Sequence, residues 1–166
     1  MDLHKKMALS NLWEIGIEEK QIENLDVLLL PENHGSADTK NLFDSQDAIT
    51  FGKLLKKEGV KCANSYDLGL DLPTMERKSN DIWIGQLYVL NDFILPVITG
   101  VIGSLLAPLI SQWKSRKDLR APAGNAHAEI TIVRPEGDIK IVYNGEPEAL
   151  VKIIESLEKE KQQGND

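Results

Sequence analysis

Apolar and polar positions change rhythm several times along this chain, and each change marks an element. Asp26-Val-Leu-Leu-Leu-Pro31 is a continuous apolar run closed by proline, the pattern of a short buried strand. Over residues 45–58 the period lengthens. Ala48, Phe51, Leu54 and Leu55 share one helical face, and Ser45 or Asp44 suits the N-cap. Lys53, Lys56 and Lys57 fall in the second half of this helix, where cations suit the dipole, and Gly59 ends it. Val60-Lys-Cys-Ala63 reads as a second short strand. Strand, helix and strand make a βαβ unit, which favours a parallel pair. Residues 82–90, IWIGQLYVL, fit either a third strand or the beginning of the helix that follows.

That helix is the most apolar stretch of the chain. Phe93 to Trp113 contains no charged side chain, and its 21 residues match the roughly 20 that cross a hydrocarbon core. Trp113 at one end, and Trp83, Tyr88 and Asn91-Asp92 ahead of the other, suit a lipid–water boundary. Lys114, Arg116, Lys117 and Arg120 follow at once and suit anionic headgroups. Pro96, Gly100, Gly103 and Pro108 weaken a helix in water and are better tolerated in lipid. The stretch is therefore expected to be transmembrane, with the polar regions facing the cytoplasm. A re-entrant bend at the prolines and a helix buried in a soluble complex are the alternatives. Thr99, Gly103 and Ala107 recur every four residues, and Gly100 and Ser104 form an adjoining stripe. Small residues at that spacing let helices approach closely, so self-association is expected as well.

Beyond a basic linker the period shortens to two. Ile130 and Ile132 alternate with Glu129 and Thr131, and Ile139, Ile141 and Tyr143 alternate with Lys140 and Val142. Pro135-Glu-Gly-Asp138 separates them as a turn, giving a β-hairpin. Pro147 then suits the first turn of a helix whose inner face is Leu150, Ile153, Ile154 and Leu157. Such a ββα unit is too small to stand alone, and is expected to pack on the rest of the chain, on a copy of itself or on a partner.

The fold class expected is α+β or α/β, with a small N-terminal βαβ-containing region, one central hydrophobic transmembrane helix and a C-terminal ββα module. The boundaries are 1–80 for the N-terminal region, 81–113 for the lead-in and apolar segment, 114–127 for the linker and 128–166 for the module and its polar tail. The first twenty residues lack a continuous apolar core and a small-residue cleavage site, so no cleaved secretory signal is expected.

Composition narrows the function classes. With 42% hydrophobic and 27% charged residues the chain has enough apolar material for a core. A net charge of −7 argues against a nucleic-acid backbone as partner. The single cysteine, Cys62, excludes an internal disulfide and a cysteine-based zinc cluster, and its place in a strand marks it as a small buried side chain.

Chemistry-bearing residues gather in the loops after the first two strands. In open α/β sheets ligands bind beyond the C-terminal strand ends, which here means residues 32–39 and 64–73. A ligand or phosphate site would draw on His34, Ser36, Asp67, Arg77 and Lys78, with Gly35 and Ser65 as further donors. A hydrolytic version would use His34 as base, oriented by Glu32 or Asp38. A metal version would add Asp38 and Asp67 to His34. The plainest alternative is a polar surface loop in which Asn33, Gly35 and Asp38 make turns. There is neither GxGxxG nor GxxxxGK[ST], so no cofactor is implied and no resident metal is assigned. His4 and His127 fall in terminal and linker segments and form no recognisable pair with His34.

These readings point to a non-enzymatic, membrane-anchored protein whose cytosolic parts recognise a small ligand, a protein partner or a second copy. In layout alone it resembles membrane effectors of bacterial stress or antiphage systems. The alternatives are a soluble or peripheral hydrolase, or phosphate-ligand binder, built on Glu32, His34 and Asp38, and a subunit of a larger complex that buries residues 93–113.

Overall fold

A computed structural model describes residues 1–35, 39–115 and 124–164. The elements run α1 (Leu3–Ala8), α2 (Glu19–Ile22), β1 (Val27–Leu30), β2 (Asp44–Ser45), α3 (Gln46–Lys57), β3 (Cys62–Ala63), β4 (Thr74–Met75), β5 (Ile82–Val89), α4 (Leu95–Ser115), β6 (Ala126–Ile132), β7 (Ile139–Gly145) and α5 (Pro147–Gln163). Five strands form one mixed sheet in the order β3-β1-β5-β6-β7, and β2 pairs separately with β4.

The expected βαβ unit is present: β1 and β3 are parallel and α3 connects them. Ser45 caps α3, its hydroxyl accepting from Asp47 N. Gly52 lets α3 lie close on the sheet, since a Cβ there would stand 2.8 Å from Leu29 Cδ1. The segment 82–90 resolves into strand β5, antiparallel to β1 and parallel to β6.

α4 is the crossover between the parallel strands β5 and β6, packed on the sheet beside α3 and α5. Leu95, Ile98, Val101, Ile102, Leu106 and Leu109 are buried in the main core with Val27, Leu29, Phe51, Leu87 and Ile130. Residues 92–111 still have the length and a mean hydropathy of 2.3 that suit a membrane span, and 39% of that window is buried within the protein. Strands from both sides of α4 belong to one sheet: β6 is an inner strand, and the hairpin and α5 complete a shared core. Asp92 anchors this arrangement, 3.2 Å from Arg134 and 2.8 Å from Lys161, while the Lys161 ammonium covers the Phe93 ring.

All three long helices lie on one face. The other face is covered over β1 and β3 by the N-terminal residues Leu9, Leu12, Ile17 and Ile22, which meet Leu28, Leu30 and Ala63. Over β5, β6 and β7 polar side chains stand on that face instead.

Candidate functional site

Strand register assembles the open face. Three rows cross β5, β6 and β7: Trp83–His127–Asn144, Gln86–Glu129–Val142 and Tyr88–Thr131–Lys140. Strict alternation would place Trp83 and Gln86 on opposite faces, because they are three residues apart. A bulge between Trp83 and Gly85 resets the count. Gly85 carries it with φ +77°, a conformation that costs other residues about 1–2 kcal/mol.

Trp83 is held through its backbone and both ring faces, while its buried indole N–H has no hydrogen-bond partner among the described residues. Its backbone N–H donates to Asp47 Oδ2 at 2.9 Å, and its carbonyl accepts from the Ser45 hydroxyl at 2.6 Å, so the N-terminus of α3 grips its backbone. The His127 ring stacks on the indole with centroids 3.7 Å apart and planes 11° apart. The Arg77 guanidinium lies 3.9 Å from the ring centroid. Arg77 is tied to Glu32, beyond β1, whereas His127 stands on β6. Since β1 and β6 flank β5 on opposite sides, the guanidinium and the imidazole cover opposite faces of the indole. The result is a stacked wall, Glu32–Arg77–Trp83–His127, running from the loop after β1 to Trp83 on β5 and His127 on β6.

Hydrogen bonds close both ends of the wall. Arg77 donates to both oxygens of Glu32, at 2.8 and 2.5 Å, in a two-pronged pair with side chains 24% and 14% exposed. His127 Nε2 faces Asp81 Oδ2 at 2.9 Å, and Nδ1 faces Asn144 Oδ1 at 2.7 Å. Burial raises the Asp81 carboxyl, but the Asn125 N–H and His127 more than offset it, leaving it below the ordinary carboxylate range. Beside the wall lies a recess of about 210 Å³ lined by Glu32, Trp83, Gln86, Glu129, Val142 and Asn144, among others. Glu129 pairs with Lys140 at 2.7 Å across the strands.

The residues singled out in the sequence are distributed unevenly around this wall. Glu32 and Arg77 meet, but Glu32 does not orient His34. His34 is buried at 8% exposure, its carbonyl accepts from Gln86 Nε2 at 2.6 Å, and its Nε2 has no hydrogen-bond partner among the described residues. Burial pushes its imidazole pKa down, although the carboxylates of Glu129 and Glu14 act in the opposite direction. Ser36 and Asp38 lie outside the described residues. Asp67 is engaged elsewhere, with Lys56 Nζ at 2.6 Å and Asn64 N at 3.0 Å, so it does not join His34. Ser65 donates to Asp44, and Lys78 is exposed. No cluster of three metal-ligating side chains occurs among the described residues. Cys62 is buried, its thiol facing the Gly52 carbonyl, and burial pushes its pKa up.

On α4 the small-residue stripes separate. Thr99 is buried and its hydroxyl is shared between the Leu95 carbonyl and the Glu158 carboxylate of α5. Gly103 is half-buried, while Gly100, Ser104 and Ala107 face outward.

Trp83, Gln86, His127, Glu129 and Asn144 were not among the site residues expected. His127, placed in a linker by sequence, opens strand β6. One signal was available: an isolated glycine inside an otherwise regular strand, Gly85, marks a bulge, and bulges re-aim side chains. Neither models of known protein families, nor curated proteins, nor solved structures give a match to this chain.

Proposed function

We propose that this chain works by recognition, and that the open face of β5, β6 and β7 receives a basic side chain presented by a protein partner. The observation that carries this reading is the pre-paired wall. Both Glu32 oxygens are taken by Arg77, both His127 nitrogens face oxygen atoms, and Glu129 is paired with Lys140. A wall of this kind is rigid and already oriented, which favours binding of a complementary group over proton transfer. Size supports the same choice. Sites for whole small ligands usually occupy about 300–1,000 Å³, and this recess of about 210 Å³ suits one side chain. The Glu129 oxygen that Lys140 does not hold supplies an acceptor, Val142 supplies an apolar wall for an alkyl stem, and the net charge of −7 attracts a basic partner.

Titration with N-acetyl-arginine amide, followed by two-dimensional NMR, tests it. The expected shifts cluster on the Trp83 indole N–H, Gln86, Glu129 and Asn144, and weaken in Glu129→Gln. Shifts scattered over the acidic surface, or none at millimolar ligand, refute the reading.

A second reading, membrane contact, is favoured by the outward face of α4. Pro96, Val97, Gly100, Ser104, Ala107, Pro108 and Ser111 face outward without a charge, Phe93 is 80% exposed at one end, and the basic run 114–120 follows the other. Spanning would strip six buried aliphatic side chains from the sheet core, so contact by the folded chain would be peripheral. Flotation with phosphatidylserine-containing vesicles tests this: recovery with the vesicles, reversed by salt, is expected. A chain that stays at the bottom of the gradient excludes it.

A further inference from the structure

The two edges of the sheet differ. At one end β3 is two residues long, which gives little to pair with. At the other, β7 runs seven residues, Ile139–Gly145, without proline or bulge. It pairs with β6 alone, and among the described residues none of the backbone hydrogen bonds outside the ladders involves residues 139–145. Alternate N–H and C=O groups along its outer side therefore point away from the sheet with no backbone partner among the described residues. Val142, at the middle of this strand, is 65% exposed. Among the described residues the defences of this edge reduce to one: Lys140 is the only charged residue of β7, and its ammonium is paired with Glu129 across the strands.

We propose that β7 is a strand-addition surface for a second copy of this chain, pairing antiparallel with its own symmetry mate to form a ten-stranded sheet. The argument for a second copy is self-complementarity. A two-fold axis perpendicular to the sheet keeps the helix-covered faces on one side and brings antiparallel edges together. Centred on Val142, it pairs all seven residues: Ile139 with Gly145, Lys140 with Asn144, Ile141 with Tyr143, and Val142 with itself. No charge meets a like charge. On the helix side the half-buried Ile141 and Tyr143 form two aromatic–aliphatic pairs, which favour antiparallel strands. On the open side the two Val142 side chains cover each other. Only a register centred on Lys140 would oppose the two ammonium groups. Val142 and Asn144 also line the recess described above, so the second copy extends its wall and places its Lys140 beside Asn144.

The test is the solution mass of the full chain by analytical ultracentrifugation, with charge variants at the two-fold axis. Val142→Lys and Val142→Glu change a solvent-facing side chain, so each monomer keeps its fold, checked by circular dichroism. The wild type is expected to be a dimer in the micromolar range. Each variant alone is expected to be a monomer, with association at least tenfold weaker, and an equimolar mixture of the two is expected to dimerise again. Hydrogen exchange adds a second measurement: alternate amides of residues 139–145 are protected in the wild type and lose protection in Val142→Lys. Ser104→Lys, on the outward face of α4, leaves the dimer intact. A monomeric wild type at hundreds of micromolar overturns the proposal. So does a dimer that survives Val142→Lys or dissociates with Ser104→Lys.

Discussion

Ile102 and Ser104 lie two residues apart on α4 and face opposite environments, so they decide how this helix is used. Ile102 is fully buried between the sheet and its neighbouring helices, and Ser104 is exposed. Ile102→Ala removes three buried carbon atoms from a core that cannot fully collapse around the gap, a change worth about 3 kcal/mol. For a chain of this size that lowers the melting temperature by about 6–12 °C. Ser104→Lys adds a charge on the outward stripe, where water solvates it, and alters stability by less than about 0.5 kcal/mol. The ranking reverses if residues 93–113 cross a bilayer. A lysine at the middle of a span then costs about 2.5–3.5 kcal/mol of insertion, while Ile102→Ala still leaves a hydrophobic helix. Thermal melts followed by far-ultraviolet circular dichroism measure both variants. A nearly neutral Ile102→Ala combined with a Ser104→Lys chain that fails to fold would refute the assignment of α4 to the sheet core.

Three further outcomes follow from the site. Arg77→Ala leaves the Glu32 carboxylate without its paired donors and uncovers one indole face, so stability falls by about 1–3 kcal/mol in urea titrations. Arg77→Lys recovers less than half of this, because an ammonium cannot reproduce the fork; full recovery would show that charge alone matters. His34 has a folded-state pKa held below its ordinary 6.5, so the unfolded chain takes up a proton that the native one refuses. Its contribution to stability is complete above pH 6.5 and is lost as pH falls through that value towards the folded pKa. His34→Gln should flatten the fall of unfolding free energy with pH below 6.5, and an unchanged slope would contradict it. Gly85→Ala meets no heavy atom closer than 3.9 Å, so its cost is conformational, about 1–2 kcal/mol. It should also shift the Trp83 indole resonance, and an unaltered resonance would detach the bulge from the wall.

Local patterns predicted nearly every long element of this fold. The run 27–30, the helix at 46–57, the hairpin of β6 and β7 and the amphipathic α5 were all legible, because each depends on period, caps and turns within a short window. Pro147 starts α5 as its position suggests, and Leu150 and Ile154 are buried by it. The candidate site was legible only in part. Arg77 and Glu32 were both recognised as chemistry-bearing, yet their pairing spans 45 residues and no local pattern relates them. Asp67 and His34, close in the imagined loop cluster, are kept apart because Asp67 satisfies the Asn64 turn and Lys56 first.

What the sequence alone determined, then, is most of the inventory: the strand at 27–30, the helices at 46–57 and 147–163, the hairpin and the apolar helix, while 82–90 stayed open between strand and helix. What only the tertiary structure decided is the placement of those segments. An uncharged helix has the same composition whether lipid or a sheet covers it, and here the parallel pairing of β5 with β6 draws α4 onto the sheet as their crossover. The stacked wall likewise exists only because a bulge at Gly85 turns Trp83 to the same face as Gln86 and strand register brings His127 beside it. Register and crossover are long-range pairings, set by the sum of burial over the whole sheet, and a window along the chain does not contain that sum.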